Sequence, residues 1–467
     1  MIKITPQKQQ QGYFCIKKQM QVKQFEDKNL AHFSYAILSR CESKVVLIDP
    51  ARNPQPYLDF AKENNAEIYG IIETHPHADF ISSHAELHLV TGATIYVSKL
   101  VNADYPHQTF DEGDTISFGK IKLTAINTPG HSPDSISILM EHDGEQKAVF
   151  TGDTLFIADC GRPDLREAAG HLKAARKELA AQMYHSLHDK LMKLEDDVLI
   201  YPAHGAGSLC GRSLSPESSA TLGEQKRTNW CLQPSSEEEF VTNLLTDQPF
   251  VPAYFPFDVE LNKKGAAGFK ESVEQVKRRS SFNNFPQSLN EKLLVVDVRD
   301  EKEYKQAHLQ NSINLMIEGN FETWLGSIFQ PYEKFYLTAK DEEQLQSAIE
   351  RCAVIGYESQ IEEAFVFHAG KLKDVKLNLE LFKNNPGAYS IIDVRNSSEV
   401  KQGKIFPNSI PIPLAELRSR LNEVPTGKPV VVHCAGGYRS AAASSLIKTK
   451  LNGQVAVYDL GESVKEF

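Results

Sequence analysis

Two stretches of this 467-residue chain repeat one another. LLVVDVRDEKEYKQAHLQNSINL begins at Leu293 and YSIIDVRNSSEVKQGKIFPNSIPIPL at Tyr389, and their Asp-Val-Arg triplets start at Asp297 and Asp393, 96 residues apart. A fixed internal period means one folding unit used twice. Each copy has an apolar strand (LLVVDV, SIIDV), a charged helix start, and a second apolar strand (FYLTA, VVVHCA) that leads into a helical stretch. Strands alternating with helices predict a parallel α/β sheet in each copy. The copies are expected over residues 270–372 and 375–467, which leaves 1–258 for a domain of another kind. A linker is expected at Phe257 to Gln287, where Lys, Gly, Ser and Asn concentrate, with the basic run VKRRS (276–280) as a solvated face.

The first 250 or so residues read differently. Apolar strands (KVVLID, IYGIIET, ATIYVS, IKLTAIN, SISILM, AVFTG, VLIYPA) are interrupted by helices such as PYLDFAKENN. A long helical stretch runs from His171 to Leu194, where Leu179, Met183, Leu187 and Leu191 recur every four residues. Asp143-Gly144, between two strands, predicts a tight hairpin. Composition sets outer limits. An apolar fraction of 41% and a charged fraction of 24% are ordinary globular usage. A net charge of -10 opposes nucleic-acid binding. Without an 18-residue apolar run or a secretory signal, no membrane span or export is expected. Seven cysteines, an odd count without any C-x-x-C pair, argue against a disulfide framework and point to a reducing cytoplasm.

Histidines and carboxylates accumulate at strand ends. His75, His77 and Asp79 follow IYGIIET, His131 follows IKLTAINTPG, Asp153 follows AVFTG, and His204 follows VLIYPA. Loops at strand ends bring such residues into one cleft, which is how a metal site is assembled on a sheet edge. The motifs THPHADF, TPGHS, TGDTLF and YPAHG, in that order, resemble the metallo-β-lactamase superfamily, and the resemblance implies an αββα sandwich with the site at one edge. Dinuclear members carry H-x-H-x-D-H, whereas the last position here is Phe80. Phenylalanine has no donor pair, so a second cation would be left with Asp79, His204 and a share of Asp153, and one metal is expected.

CGRPD (160–164), MYHSLHDKLMKLEDDVLIYPAHG (183–205) and GEQKRTN (223–229) are similar to the persulfide dioxygenase branch. That resemblance implies one Fe(II) per chain, bound by His75, His131 and Asp153, with Cys160 and Tyr201 near it. Two histidines and a carboxylate on one face of an octahedral metal leave adjacent positions for a persulfide sulfur and O2. Spacing alone does not separate iron from zinc, since these donors suit both. His77, Asp79 and His204 read as groups that orient ligands or water, or as a vestigial second-metal set. Arg162 either pairs with a carboxylate of the substrate's thiol carrier or forms an internal salt bridge to Asp164. Cys210 reads as an accessory thiol or as a buried inert one. His185 and His188 share one helix face and read as surface residues.

VVVHCAGGYRSAAASSLI carries the second constellation. Cys434 ends an apolar strand, and a Gly-rich loop then opens a helix. Its sulfur would sit among backbone N–H groups beside Arg439, an arrangement that favours thiolate. Only Ala435, Gly436, Gly437 and Tyr438 separate Cys434 from Arg439, one residue fewer than in cysteine phosphatases, and a tighter ring suits a sulfur atom better than a phosphoryl group. With Asp393 to Arg395 and Glu399, this stretch resembles rhodanese domains. The resemblance implies that Cys434 carries sulfane sulfur as a persulfide, stabilised by Arg439 and by the loop around Gly436 and Gly437. DLGES has Glu462 where a second glycine is usual. In the first copy Ala339 stands opposite Cys434 and KDEEQL replaces the loop, so that copy resembles a rhodanese unable to carry sulfur.

Together the resemblances imply oxidation of a small-molecule persulfide, glutathione persulfide or similar, to sulfite by O2, coupled to a rhodanese step that makes or uses thiosulfate. A homo-oligomer through the N-terminal domain is implied as well. Two alternatives stay open here. One is a glyoxalase II-type zinc thioesterase fused to a sulfurtransferase; the other is a non-enzymatic sulfur-relay scaffold.

Overall fold

The computed structural model describes residues 20–165, 173–282, 289–368, 370 and 372–467. Strands β1 (Met20–Asp27), β2 (His32–Ser39), β3 (Lys44–Ile48), β4 (Glu67–Ile72), β5 (Thr94–Val97) and β6 (Gln108–Thr109) lie in that spatial order in one sheet. Neighbours are antiparallel through β3 and parallel from β3 to β6. β7 (Thr115–Phe118), β8 (Ile121–Asn127), β9 (Ile136–His142), β10 (Glu145–Gly152), β11 (Leu199–Pro202) and β12 (Ala220–Thr221) form the second sheet. It is antiparallel except where β10 meets β11.

The sequence pattern explains these strands. In β8 Ile121, Leu123 and Ala125 are buried while Lys122 is exposed, the period of two that a strand with one apolar face requires. Asp143 and Gly144 both take positive φ, as the β9–β10 turn demands. The facing surfaces interdigitate through Tyr35, Ile37 and Val46 from one sheet and Phe118, Leu123 and Phe150 from the other. Helices Gln55–Glu63 and His84–Thr91 cover the outer face of the first sheet. Helix Lys173–His185 covers the second, burying Leu179 and Met183 and continuing through a π-helical turn that buries Leu187. The result is the αββα sandwich expected above. His171 and Leu172, at the expected start of that helix, lie outside the described residues.

The expected linker is different in the structure. It holds helices Phe255–Lys264 and Phe269–Glu274 and then strand β13 (Arg278–Phe282). Phe255, Val259 and Asn262 are buried along one side of the first helix, an i, i+4, i+7 stripe masked in the sequence by the surrounding lysines. The Arg278–Ser280 part of the basic run lies in β13, an edge strand in parallel register with β17 (Ile361–Phe367).

β13, β17, β16 (Phe335–Ala339), β14 (Val295–Asp297) and β15 (Ser312–Asn314) form a five-stranded parallel sheet in that order. The second copy has β19 (Ile410–Pro411), β18 (Ser390–Asp393), β20 (Val430–His433) and β21 (Val457–Asp459), again all parallel. One continuous buried apolar cluster joins all three parts, running from Phe156 and Tyr254 through Trp324 and Phe329 to Ile392 and Leu446. Polar contacts reinforce the joints. Arg52 Nε donates to Ala353 O (3.2 Å), and Arg418 holds Glu333 through two nitrogens at 2.8 Å each. Among the described residues no helix is long and apolar enough to cross a membrane.

Candidate metal centre and sulfur-transfer loop

β4, β10 and β11 end at the same edge of the sandwich, where the two sheets are stitched together. Phe33 N donates to Ala203 O (2.7 Å), and His32 bridges His204. The chain leaves β10 through Gly152 at φ +51°, where an added Cβ would stand 2.5 Å from Thr74 Oγ1. That close approach presents Asp153 to the histidines that follow β4 and β8.

Asp153 Oδ2 lies 3.8 Å from His75 Nε2 and 3.5 Å from His131 Nε2, and among the described residues none gives it a hydrogen bond. All three side chains are buried. Donors bonded at about 2.0–2.2 Å to one ion, at angles from square to tetrahedral, stand about 3–3.5 Å apart, so the trio fits a cation nearly as it stands. The backing of His75 sets its tautomer. Thr74 Oγ1 gives its single proton to Asp49 Oδ2 (2.8 Å), so His75 Nδ1–H donates to Thr74 Oγ1 (3.0 Å) and Nε2 keeps a lone pair for the metal. Burial, and then the charge of His77, hold His75 well below the usual imidazole range, in the neutral form a ligand needs. Burial works against ionised Asp153, but His204 and His131 hold its carboxyl well below the usual range.

The remaining motif residues turn elsewhere. His204 Nδ1 lies 2.7 Å from Asp153 Oδ1 and Nε2 lies 2.8 Å from Asp79 Oδ2. Both nitrogens face carboxylates, so the ring is an imidazolium. Despite burial, Asp153 and Asp79 raise it well above its ordinary value. A fixed cation thus sits beside the metal trio. Phe80 is buried against the rings of His32 (centroids 4.0 Å) and His77 (4.4 Å). His77 points away from the trio, 3.2 Å from Asp49 Oδ1 and 3.3 Å from Glu73 Oε2.

Burial opposes charge on His77, yet Asp49 and Glu73 push it up to about 10. A histidine raised in the fold stabilises fully below its unfolded value, about 6.5, and that contribution is lost as pH climbs through about 10. The metal-free His77→Gln variant should therefore be less stable than the parent by a margin that is constant in mild acid and shrinks steadily from neutrality toward alkaline pH. Urea denaturation across that range measures it.

Asp49, Glu73, Tyr254 and Asn262 belong to this site but were not singled out from the sequence. Asn262 Nδ2 donates to His77 O (2.9 Å) and Phe80 O (2.7 Å), and Tyr254 OH donates to Asp79 O (3.3 Å), so the helix beyond the sandwich fixes the motif's backbone. Asp49 and Glu73 close KVVLID and IYGIIET, the same strand-end position that marked the histidines.

The CGRPD loop lies under Asp153. A Cβ on Gly161 would come within 1.8 Å of Asp153 O and 3.1 Å of His131 Cβ. Gly161→Ala must shift the metal trio and should cost about 1–3 kcal/mol in thermal unfolding, with loss of bound metal. Arg162, fully buried, commits its guanidinium to Asp164 (2.6 and 2.8 Å) and to the carbonyls of Leu209 and Pro249. This is the internal salt bridge of the two readings above. Cys160 is buried beside Cys231, and burial raises its thiol. Cys210 is brought within 4.8 Å of Asp79 and His204 donor atoms. Tyr201 stacks on Phe150 (5.3 Å) against the intersheet core.

In the last domain Cys434 follows β20, and Gly437 N–H points its positive end at Cys434 Sγ (3.0 Å). Gly437 takes φ +105°, the left-handed region that favours glycine. Arg439 makes a two-pronged pair with Glu399 (2.5 and 2.8 Å). Glu399 in turn accepts from Asn396 N (2.9 Å). Gly436 is exposed and opens the loop to solvent. In the middle domain β16 ends on buried Ala339, and Asp341 caps a helix at once, with no loop between.

Residues 30–204 match the metallo-β-lactamase superfamily, and 281–361 and 376–466 match the rhodanese-like domain. The mitochondrial persulfide dioxygenase of Bos taurus is 31% identical over 216 residues, 46% of this chain and 76% of that protein. The chain belongs to the persulfide dioxygenase family. The Homo sapiens mitochondrial member is 33% identical over 174 residues, and this chain spans 63% of its length. A metallo-β-lactamase crystal structure from Staphylococcus aureus subsp. aureus COL covers 75% of this chain and 99% of its own, at 31% identity and a TM-score of 0.67. This family member is thus a metallo-β-lactamase-fold domain fused to two rhodanese-like domains.

Proposed function

We propose that the chain is an enzyme that oxidises a low-molecular-weight thiol persulfide, glutathione persulfide or a similar one, to sulfite with O2 at one Fe(II), and that its last domain moves sulfane sulfur through Cys434. The observation that carries the reading is the one-sided trio: Asp153 Oδ2 faces the Nε2 atoms of His75 and His131 while His204 is tied between Asp153 and Asp79. His75, His131 and Asp153 would hold the metal. A bound Fe(II) would supply O2 activation, with open positions for the persulfide sulfur as well. His204 keeps a positive charge beside Asp153 and holds a proton on Nε2 against Asp79. Phe80 fills the space beside His32 and His77, so the second-cation position keeps only Asp79 and His204 of the motif's donors. Such a set disfavours the zinc thioesterase reading, and the complete Cys434 loop disfavours a passive relay.

At the second site Cys434 thiolate attacks the outer sulfur of thiosulfate, the S–S bond breaks, sulfite leaves, and Cys434 holds a persulfide anion; the reverse sequence makes thiosulfate. The six described cysteines are free thiols, as a reducing compartment such as the cytoplasm maintains. Oxygen uptake with glutathione persulfide, followed together with iron content and sulfite release, tests the proposal. One O2 consumed per sulfite is expected. Anaerobic thioester cleavage with no oxygen uptake would overturn it.

A further inference from the structure

The middle domain has buried Ala339 where the last domain has Cys434, yet two of its contacts converge on the Cys434 loop. Tyr438, inside that loop, donates its hydroxyl to Met316 O (2.8 Å), and burial pushes this hydroxyl up, so it remains a donor. The Met316–Gly319 turn is itself clamped. Arg351 donates to the carbonyls of Ile317 and Gly319 and pairs with buried Glu322. A Cβ on Gly319 would touch the Tyr438 ring at 3.4 Å. On the other flank Lys305 Nζ pairs with Asp459 Oδ2 (2.8 Å), whose Oδ1 accepts from Gly461 N (2.9 Å). Gly461 C and Glu462 N each lie 3.3 Å from the Cβ that Gly437 lacks. Both lines therefore end on Gly437 and Tyr438, the pair that sets the N–H aimed at Cys434 Sγ.

We propose that the rhodanese-like domain with Ala339 in place of the sulfur-carrying cysteine is a positioning element for sulfur transfer: Met316 O and Lys305 hold Tyr438 and Asp459, and through them the Gly437 N–H on Cys434. This rests on the reading of Cys434 as the sulfur carrier. A hydroxyl donor on one side and an ion pair on the other fix a loop whose Ala435 and Gly436 are otherwise exposed. Lys305 and Tyr438 act through the loop backbone and are positioning residues.

The test uses the full chain with Tyr438→Phe, Lys305→Met and Lys305→Arg, each compared with Cys434→Ser. Sulfur transfer from thiosulfate to a thiol, the pH profile of Cys434 alkylation by iodoacetamide, oxygen uptake and thermal midpoint are recorded. Each of Tyr438→Phe and Lys305→Met is expected to lower the kcat of transfer by about tenfold, the rate equivalent of about 1.4 kcal/mol, with little change in KM. The alkylation profile should move to higher pH, Lys305→Arg should restore both, and oxygen uptake should persist. Because Lys305 is partly exposed, its variants keep the test open if Tyr438→Phe fails to fold. Unchanged kcat and alkylation in Tyr438→Phe and Lys305→Met would overturn the inference, as would equal losses of transfer, oxygen uptake and thermal midpoint. Full transfer in Cys434→Ser would instead overturn the reading beneath it.

Discussion

Cys434→Ser is expected to lower sulfur transfer between thiosulfate and a thiol by on the order of a thousandfold or more, while oxygen uptake with a persulfide continues. Serine keeps the shape of the strand end and can still accept the Gly437 N–H. It cannot form the S–S bond on which the proposed step depends, and a hydroxyl is a far weaker nucleophile than a thiol at neutral pH. The middle domain offers no substitute, since its equivalent position is the buried Ala339. Of the other described thiols, Cys160, Cys210, Cys231 and Cys352 are buried, and Cys41 lies on the exposed connection between β2 and β3. Mass spectrometry after incubation with thiosulfate checks the same point, because one sulfur atom added to the parent chain at Cys434 should be missing from the variant. Transfer that survives the substitution would move the chemistry to another thiol.

The second large effect concerns Asp153→Asn. The amide fits the same space, but it supplies a neutral donor where the trio has its only carboxylate, and it removes one of the two anions that hold His204. Both losses act on one atom group, so metal content and oxygen uptake should fall together, uptake by on the order of a thousandfold. Sulfur transfer at Cys434 should remain near that of the parent. Metal analysis, oxygen electrode traces and a thiosulfate transfer assay on the same preparation separate these outcomes. Retained iron with full oxygen uptake would exclude Asp153 from the centre. Asp79→Asn is the informative companion, because Asp79 touches His204 but does not belong to the trio.

Much of the architecture could be read from the chain because each signal was local. The Asp-Val-Arg repeat announced two parallel α/β units, alternation in IKLTAIN marked a strand with one apolar face, and the run from Leu179 to Leu191 marked a covering helix. The candidate-site residues at strand ends were legible for the same reason: β4, β8, β10 and β11 each deliver their own. The stretch around Asn262 was not legible, because its lysines and glycines resemble a linker while its buried stripe has meaning only against another domain. β2 was missed although every one of its residues is buried; a continuous run has no alternation to reveal it. The orientation of His77 also escaped the sequence. Its partners Asp49 and Glu73 close neighbouring strands, and only the parallel register of β3 and β4 puts them around one ring.

The buried cluster that joins all three parts bears on logistics. With side chains from every domain sharing one interior, neither reaction centre can swing toward the other as a tethered arm would. Whatever passes between them crosses a separation that the fold holds constant, so its movement is the work of a carrier molecule and not of a domain.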